Sequence, residues 1–171
     1  MTDRSLGPVV SSAHLATGAV PEVSELEFGL TLANNAFQRW IVRAIAMAGY
    51  PALGALDVLV LHSVYHRGRP KKLADICLVL NVEDTHTVNY AIKKLSAAGL
   101  VSTARKGKEK SISVTPKGAE TCERYREIRE ALLLRAVGEL GLEPEQLGLA
   151  ASILRMMAGQ YDQAARAATT Y

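Results

Sequence analysis

"VEDTHTVNYAIKKLSAAGLV", residues Val82–Val101, decides the fold. Val88, Ala91, Ile92 and Leu95 recur at spacings of three and four, which predicts a helix with one apolar stripe. Its first turns carry Thr85, His86, Thr87, Asn89 and Tyr90, mostly mediocre helix formers rich in hydrogen-bonding groups. A helix built only for solubility would carry Glu, Lys and Gln there. The residues off the stripe are therefore expected to meet a partner, and the flanking sequence says which kind.

Upstream, a helix is predicted over Leu53–His66, with Leu56, Leu59, Val60 and Val64 inward. "RGRP" breaks it, and Pro70 suits the first turn of a further helix through Leu73, Ile76, Cys77 and Leu80. Downstream, "LVSTARK" and "KSISVT" are β-type runs around the polar turn "KGKE" with Gly107, which predicts a short basic hairpin. Thr115 is a good N-cap and Pro116 a good first helical residue. A long helix is expected from there to about Leu140, then a break at "GLEPEQ" and an Ala-rich helix over Pro144–Ala168. At the other end, residues 1–20 are rich in Gly, Ser, Ala and Pro and are expected to form a flexible arm. A helix then runs from about Glu22 to Gly49. Val23, Leu26, Leu30, Ala33, Phe37, Trp40, Ala44 and Met47 form a heptad seam along it. Gly49 can cap that helix and Pro51 cannot continue it.

The chain has 171 residues, 49% hydrophobic and 22% charged, within the range of soluble proteins. No apolar run approaches the roughly 18 residues that would cross a membrane. The N-terminus has no basic leader followed by an apolar block. Cys77 and Cys122 are the only cysteines, too few for a disulfide framework or a metal knuckle, and a cytoplasmic protein fits best. The net charge of +3 is uneven: Arg67–Lys117 holds eleven Lys/Arg against four Asp/Glu, and the remainder nine against thirteen. A basic centre between acidic flanks points to a polyanion-binding module on another scaffold.

Helix, turn, helix and basic hairpin form a unit whose second helix packs one stripe inward and turns the other face to the major groove of duplex DNA. On this reading Val88, Ile92 and Leu95 hold the helix to its domain. Thr85, His86, Thr87, Asn89 and Tyr90 face bases or backbone, and Lys93 and Lys94 meet phosphates. Asp84 or Glu83 caps the helix. Arg105, Lys106, Lys108 and Lys110 crowd the hairpin turn, where their mutual repulsion is relieved by a polyanion.

"LADICLVLNVEDTHTVNYAIKKLSAAGLV" followed by "SISVTPKG" resembles the winged helix-turn-helix of MarR-type transcriptional regulators. The matching positions are Ile76, Cys77, Leu80 and Val82, then Thr87, Val88, Leu95, Gly99, Leu100 and Val101, and finally Val114, Thr115 and Gly118. The wing lacks the Asp-x-Arg that often braces it in that family, and the turn before the recognition helix is one residue longer. The resemblance covers about residues 24–168 and implies that the terminal helices serve dimerisation.

Other constellations are weaker. His62 and His66 share a helix face and, with Cys77 or His86, could approach a zinc set, but surface or packing histidines fit better. Nothing adjacent clearly activates either thiol. Trp40, Tyr65 and His66 are candidates for a pocket taking a small aromatic or anionic effector, although core packing is the stronger reading of Trp40. No phosphate loop or nucleophile elbow is present, so no enzyme, cofactor or metal is expected.

The expected fold is mainly α with a small β-hairpin wing: a winged helix-turn-helix with long flanking dimerisation helices. The expected division is an arm at 1–20, a dimerisation helix at 21–50, the DNA-binding region at 51–118 and dimerisation helices at 119–171. The expected function is a homodimeric, sequence-specific regulator of transcription on double-stranded DNA, a repressor relieved by a small effector. A winged-helix module for protein–protein contact without DNA binding is the alternative; acidic or apolar residues in place of Lys93, Lys94 and Lys106 would mark it.

Overall fold

The computed structural model describes residues 8–106 and 109–170. They divide into two compact units, one up to Ile128 and the other from Arg129.

In the first unit, helix α1 spans Pro21–Met47. It ends as expected: Gly49 adopts a left-handed φ of 103°, and Tyr50 N–H donates back to Ile45 O at 3.1 Å. Ile41, Ala44 and Ile45 of its last turns are buried, yet residues 29–39 are exposed throughout. Of the heptad seam only Ala44 is buried; Val23, Leu26 and Trp40 are half-buried, while Leu30, Ala33, Phe37 and Met47 are exposed, Phe37 at 48%. The segment expected as a flexible arm is partly held. Ala13–Thr17 forms a 3-10 turn, and the buried Ser24 hydroxyl of α1 donates to Leu15 O at 2.6 Å. Residues 1–7 lie outside the described chain.

Helix α2 spans Ala55–Tyr65. Val58, Val60, Leu61 and Val64 are its buried apolar residues, while Leu56 and Leu59 are only half-buried. The expected inward stripe is corrected accordingly: α2 is nearly continuous in apolar residues and gives no sharp period. Pro70 does not open the next helix. It precedes a two-residue strand β1, Lys71–Lys72, and helix α3 follows at Leu73–Leu80. Asn81 closes α3 in a left-handed conformation, φ 53°, a position that Asn tolerates better than most residues. Helix α4, Thr85–Ala97, begins four residues later.

Strands β2, Val101–Lys106, and β3, Glu109–Val114, form the expected hairpin. The sheet has a third member, in the order β1-β3-β2, with Lys71 opposite Ile112 and Lys72 opposite Ser111. Helix α5 spans Pro116–Ile128. Thr115 caps it, its hydroxyl oxygen accepting from Gly118 N–H at 3.0 Å while the hydroxyl reaches Gly99 O at 2.7 Å and Leu100 O at 3.1 Å. Gly118 is required sterically, since a Cβ there would stand 2.0 Å from Leu100 O. The core joins Ile41 and Ile45 of α1, Val58, Leu61 and Val64 of α2, Ile76 of α3, Val88, Ile92 and Leu95 of α4, and Ile112 of β3.

In the second unit, Arg129–Leu134 is a π-helical turn and α6 spans Arg135–Gly138. Gly141, at φ 65°, lies in the break before α7, Pro144–Ala168, which has no buried residue. Among the described residues no helix is long and apolar enough to cross a membrane.

Candidate nucleic-acid interface

The α4 stripe behaves as its spacing predicts. Val88, Ala91, Ile92 and Leu95 are at most 1% exposed, which fixes the rotation of the helix. Asp84 is the N-cap, its carboxylate accepting from His86 N–H at 2.8 Å. A carboxylate there satisfies one of the otherwise unpaired amides of the first turn.

Thr85, His86, Thr87, Tyr90 and Lys93 are all exposed. His86, Tyr90 and Lys93 follow at spacings of four and three, so they line one face. Tyr90 is 66% exposed, unusual for a large aromatic ring with core available beside it. The Thr87 hydroxyl donates to Asp84 O at 2.8 Å. With its proton so directed, Thr87 offers a partner an acceptor oxygen and a methyl group.

Lys94 is corrected. Its ammonium lies 2.5 Å from Asp57 Oδ2 and donates to Ala52 O at 3.1 Å. The same Asp57 oxygen accepts from Gly54 N–H at 2.7 Å at the start of α2. Asp57 is 5% exposed, so its charge needs a partner inside the domain, and Lys94 is that partner. Lys94 therefore ties the recognition helix to α2 and is removed from the set of phosphate contacts.

Asn89 is half-buried, and Lys110 Nζ of β3 approaches its Oδ1 at 3.4 Å. This contact and the pairing of β3 with β1 hold the wing where the Asp-x-Arg brace is missing. Arg105 is exposed on β2, opposite Lys110 in register. Lys106 belongs to β2, but its side chain lies outside the description, as does Lys108 altogether. Lys117 is occupied, donating to Ala98 O at 3.0 Å with its ammonium 5.5 Å from the centre of the Tyr50 ring.

Trp40, Tyr65 and His66 have different surroundings among the described residues. Trp40 packs partly buried against the core. The Tyr65 hydroxyl donates to Glu123 Oε1 at 2.7 Å, and Arg126 Nε donates to Glu123 Oε2 at 2.9 Å. Arg126 and the Tyr65 hydroxyl hold the Glu123 carboxyl below its usual range. Of the three, only His66 lines the cavity between α2 and α3. Its other lining residues include His62, Arg67, Arg69, Lys71 and Lys72. The run "RGRPKK" was visible as charge, but nothing in it marked a concave surface. His62 stacks edge-on against Tyr125, ring centres 4.7 Å apart, and burial lowers its pKa. The Cys122 thiol is pushed up to about 12 by burial and then by the Glu123 charge, so it carries almost no thiolate at neutral pH.

Residues 53–118 match the family model of the winged helix DNA-binding domain. The sequence matches no curated protein. Among solved structures, the chain is similar to a MarR-family transcriptional regulator from Rhodococcus sp. RHA1. That match has 15% identity and a TM-score of 0.64, over 83% of this chain and 96% of the other. It is also similar to an Escherichia coli MarR mutant complexed with operator DNA, with 16% identity and a TM-score of 0.65, over 82% and 99%. A third similar structure is Bordetella bronchiseptica BpsR, described by the regulation of its DNA binding by 6-hydroxynicotinic acid. Here the identity is 25% and the TM-score 0.56, over 75% and 96%.

Proposed function

With a winged helix DNA-binding domain at residues 53–118 set in a MarR-type fold, we propose that the chain is a sequence-specific regulator of transcription that binds duplex DNA as a homodimer. The carrying observation is the split of α4. One side is sealed into the core, and the other presents His86, Thr87, Tyr90 and Lys93 to solvent. Early residues of such a helix reach base edges in the major groove, and later cations meet phosphate. Thr87, as an acceptor with a methyl group, suits the exocyclic amine of adenine or cytosine, or the methyl of thymine. Arg105 and the wing lysines extend the contact along the backbone.

Dimerisation rests on the open middle of the α1 seam and on α7, where Leu147, Leu149, Leu154 and Met156 are each more than 40% exposed. Two copies then present two recognition helices to half-sites one helical turn apart, roughly 34–36 Å. Occupying an operator blocks polymerase, and an effector that prefers another spacing of the two helices releases it. The exposed Lys93 and Arg105 argue against the alternative of a pure protein-contact module.

Selection of bound sequences from a random duplex pool tests the reading. Enrichment of a two-fold symmetric site with half-sites about one turn apart is expected. Recovery of unenriched sequence at low salt would reduce the protein to a non-specific polyanion binder.

A further inference from the structure

The apolar stripe of α4 fixes how the helix is rotated, but it holds the axial position weakly. Val88, Ile92 and Leu95 pack in a core whose contacts are non-directional. A helix that reads bases needs its axial position fixed as well, since a slide of one residue, about 1.5 Å, carries a hydrogen-bonding group off its target.

Lys94 supplies a directional contact. Its ammonium ends between two acceptors outside α4, Asp57 Oδ2 at 2.5 Å and Ala52 O at 3.1 Å. The Asp57 side chain is only 7% exposed, and the same oxygen accepts from Gly54 N–H at 2.7 Å. The charge of Asp57 is not demanded by that cap. A neutral side chain of the same size would also accept from Gly54 N–H, without the cost of a buried ion. What the charge adds is its hold on Lys94. Lys94 lies seven residues beyond Thr87 and four beyond Tyr90, so it shares their side of the helix. Its side chain is 33% exposed, and without an acid beneath it the ammonium is free to swing to a phosphate. Phosphate attracts a cation equally on every sequence, so such a contact adds affinity without discrimination.

We propose that Asp57, buried in α2, is a specificity-determining positioning residue: its charge withholds Lys94 from the DNA backbone and fixes the axial place of α4, and with it that of Thr87 and Tyr90. The inference rests on the DNA-binding reading above and adds to it a residue that touches no DNA.

The experiment is a salt titration of the full chain against the selected duplex and a scrambled one, with thermal melts confirming that each variant is folded. Asp57→Asn keeps the size and an oxygen for Gly54 N–H and removes the charge. It is expected to steepen the salt dependence on both duplexes by about one unit per bound protomer, so that affinity falls about threefold further between roughly 50 and 200 mM salt. The preference for the selected duplex is expected to fall about tenfold, the size of one good base contact. Asp57→Asn combined with Lys94→Gln leaves no charge unpaired and is expected to return the wild-type slope. A folded Asp57→Asn protein with the wild-type slope overturns the proposal, as does a steeper slope that persists in the double variant, or a preference that neither variant changes. If Asp57→Asn alone does not fold, the double variant decides. A slope shallower than wild type by about one unit places Lys94 on phosphate already and overturns the proposal; the wild-type slope with a reduced preference supports it. Failure of the wider reading looks different: a wild-type protein that does not distinguish the duplexes loses its sequence specificity, and the slopes on the scrambled duplex still decide whether Asp57 withholds Lys94.

Discussion

Helices α4 and α7 both carry an apolar stripe, and they meet opposite fates. In the 13 residues of α4 four side chains are buried; in the 25 residues of α7 none is. Spacing alone does not separate them. What differs is the surface opposite: α4 lies against α2, α3 and the sheet, all supplied by the same chain. Amphipathicity states that a face wants cover, and only the rest of the molecule states whether that cover is internal. The α4 stripe is settled within one protomer, and that of α7 is the reason to expect a second.

The sharpest break of this contrast is at α7. Leu147→Arg with Leu154→Arg, seven residues apart on one face, should yield monomers in sedimentation. Duplex affinity should fall about a hundredfold or more, since joint use of two half-sites is lost. Wild-type-like sedimentation would remove α7 from the dimer. Next, Ile92→Ala, in a side chain 1% exposed, should cost about 2–5 kcal/mol in denaturant unfolding, the same at every protein concentration. Leu154→Ala should instead cost more as the protein is diluted. If both behave alike, the two stripes are not different in kind.

A smaller effect tests the open face of α4. Tyr90→Ala should lose about 1–3 kcal/mol on the selected duplex and little on scrambled DNA. Equal losses on both would make the helix a phosphate clamp. The smallest effect concerns pH. Burial lowers the pKa of His62 in the folded state, so the unfolded chain binds the proton more tightly. Stability should therefore be full above the ordinary histidine pKa of about 6.5 and decline as pH falls through it toward the folded value. Melting of His62→Asn, followed from pH 7.5 to 5, should lack that share of the decline; an unchanged slope would place the acid sensitivity elsewhere.

Much of this is legible in the sequence. The Thr115–Pro116 cap and the α4 stripe follow from local chemistry, which sequence displays directly, whereas the demand for Gly118 comes from Leu100 O, a non-local neighbour. The fate of Lys94 is not local either. Lys93 and Lys94 are neighbours of one type, and only Asp57, 37 residues away, makes one structural and leaves the other free at the surface. Strand β1 was missed because two lysines after a proline have no β preference; they pair because β3 has an edge to offer. The α2–α3 cavity escaped for a similar reason. Its cations come from one loop, but its concavity comes from two helices whose spacing no periodicity encodes.

The Thr115 bond set has a mechanical consequence. It fastens the end of the α4–β2 connection to the start of α5, while Val101 pairs with Val114 directly above. The wing is thus a loop clasped at its base, and strain applied at its tip has no lever arm into the core. On the proposed reading, the hairpin can therefore follow a DNA backbone while α4 keeps its place in the core.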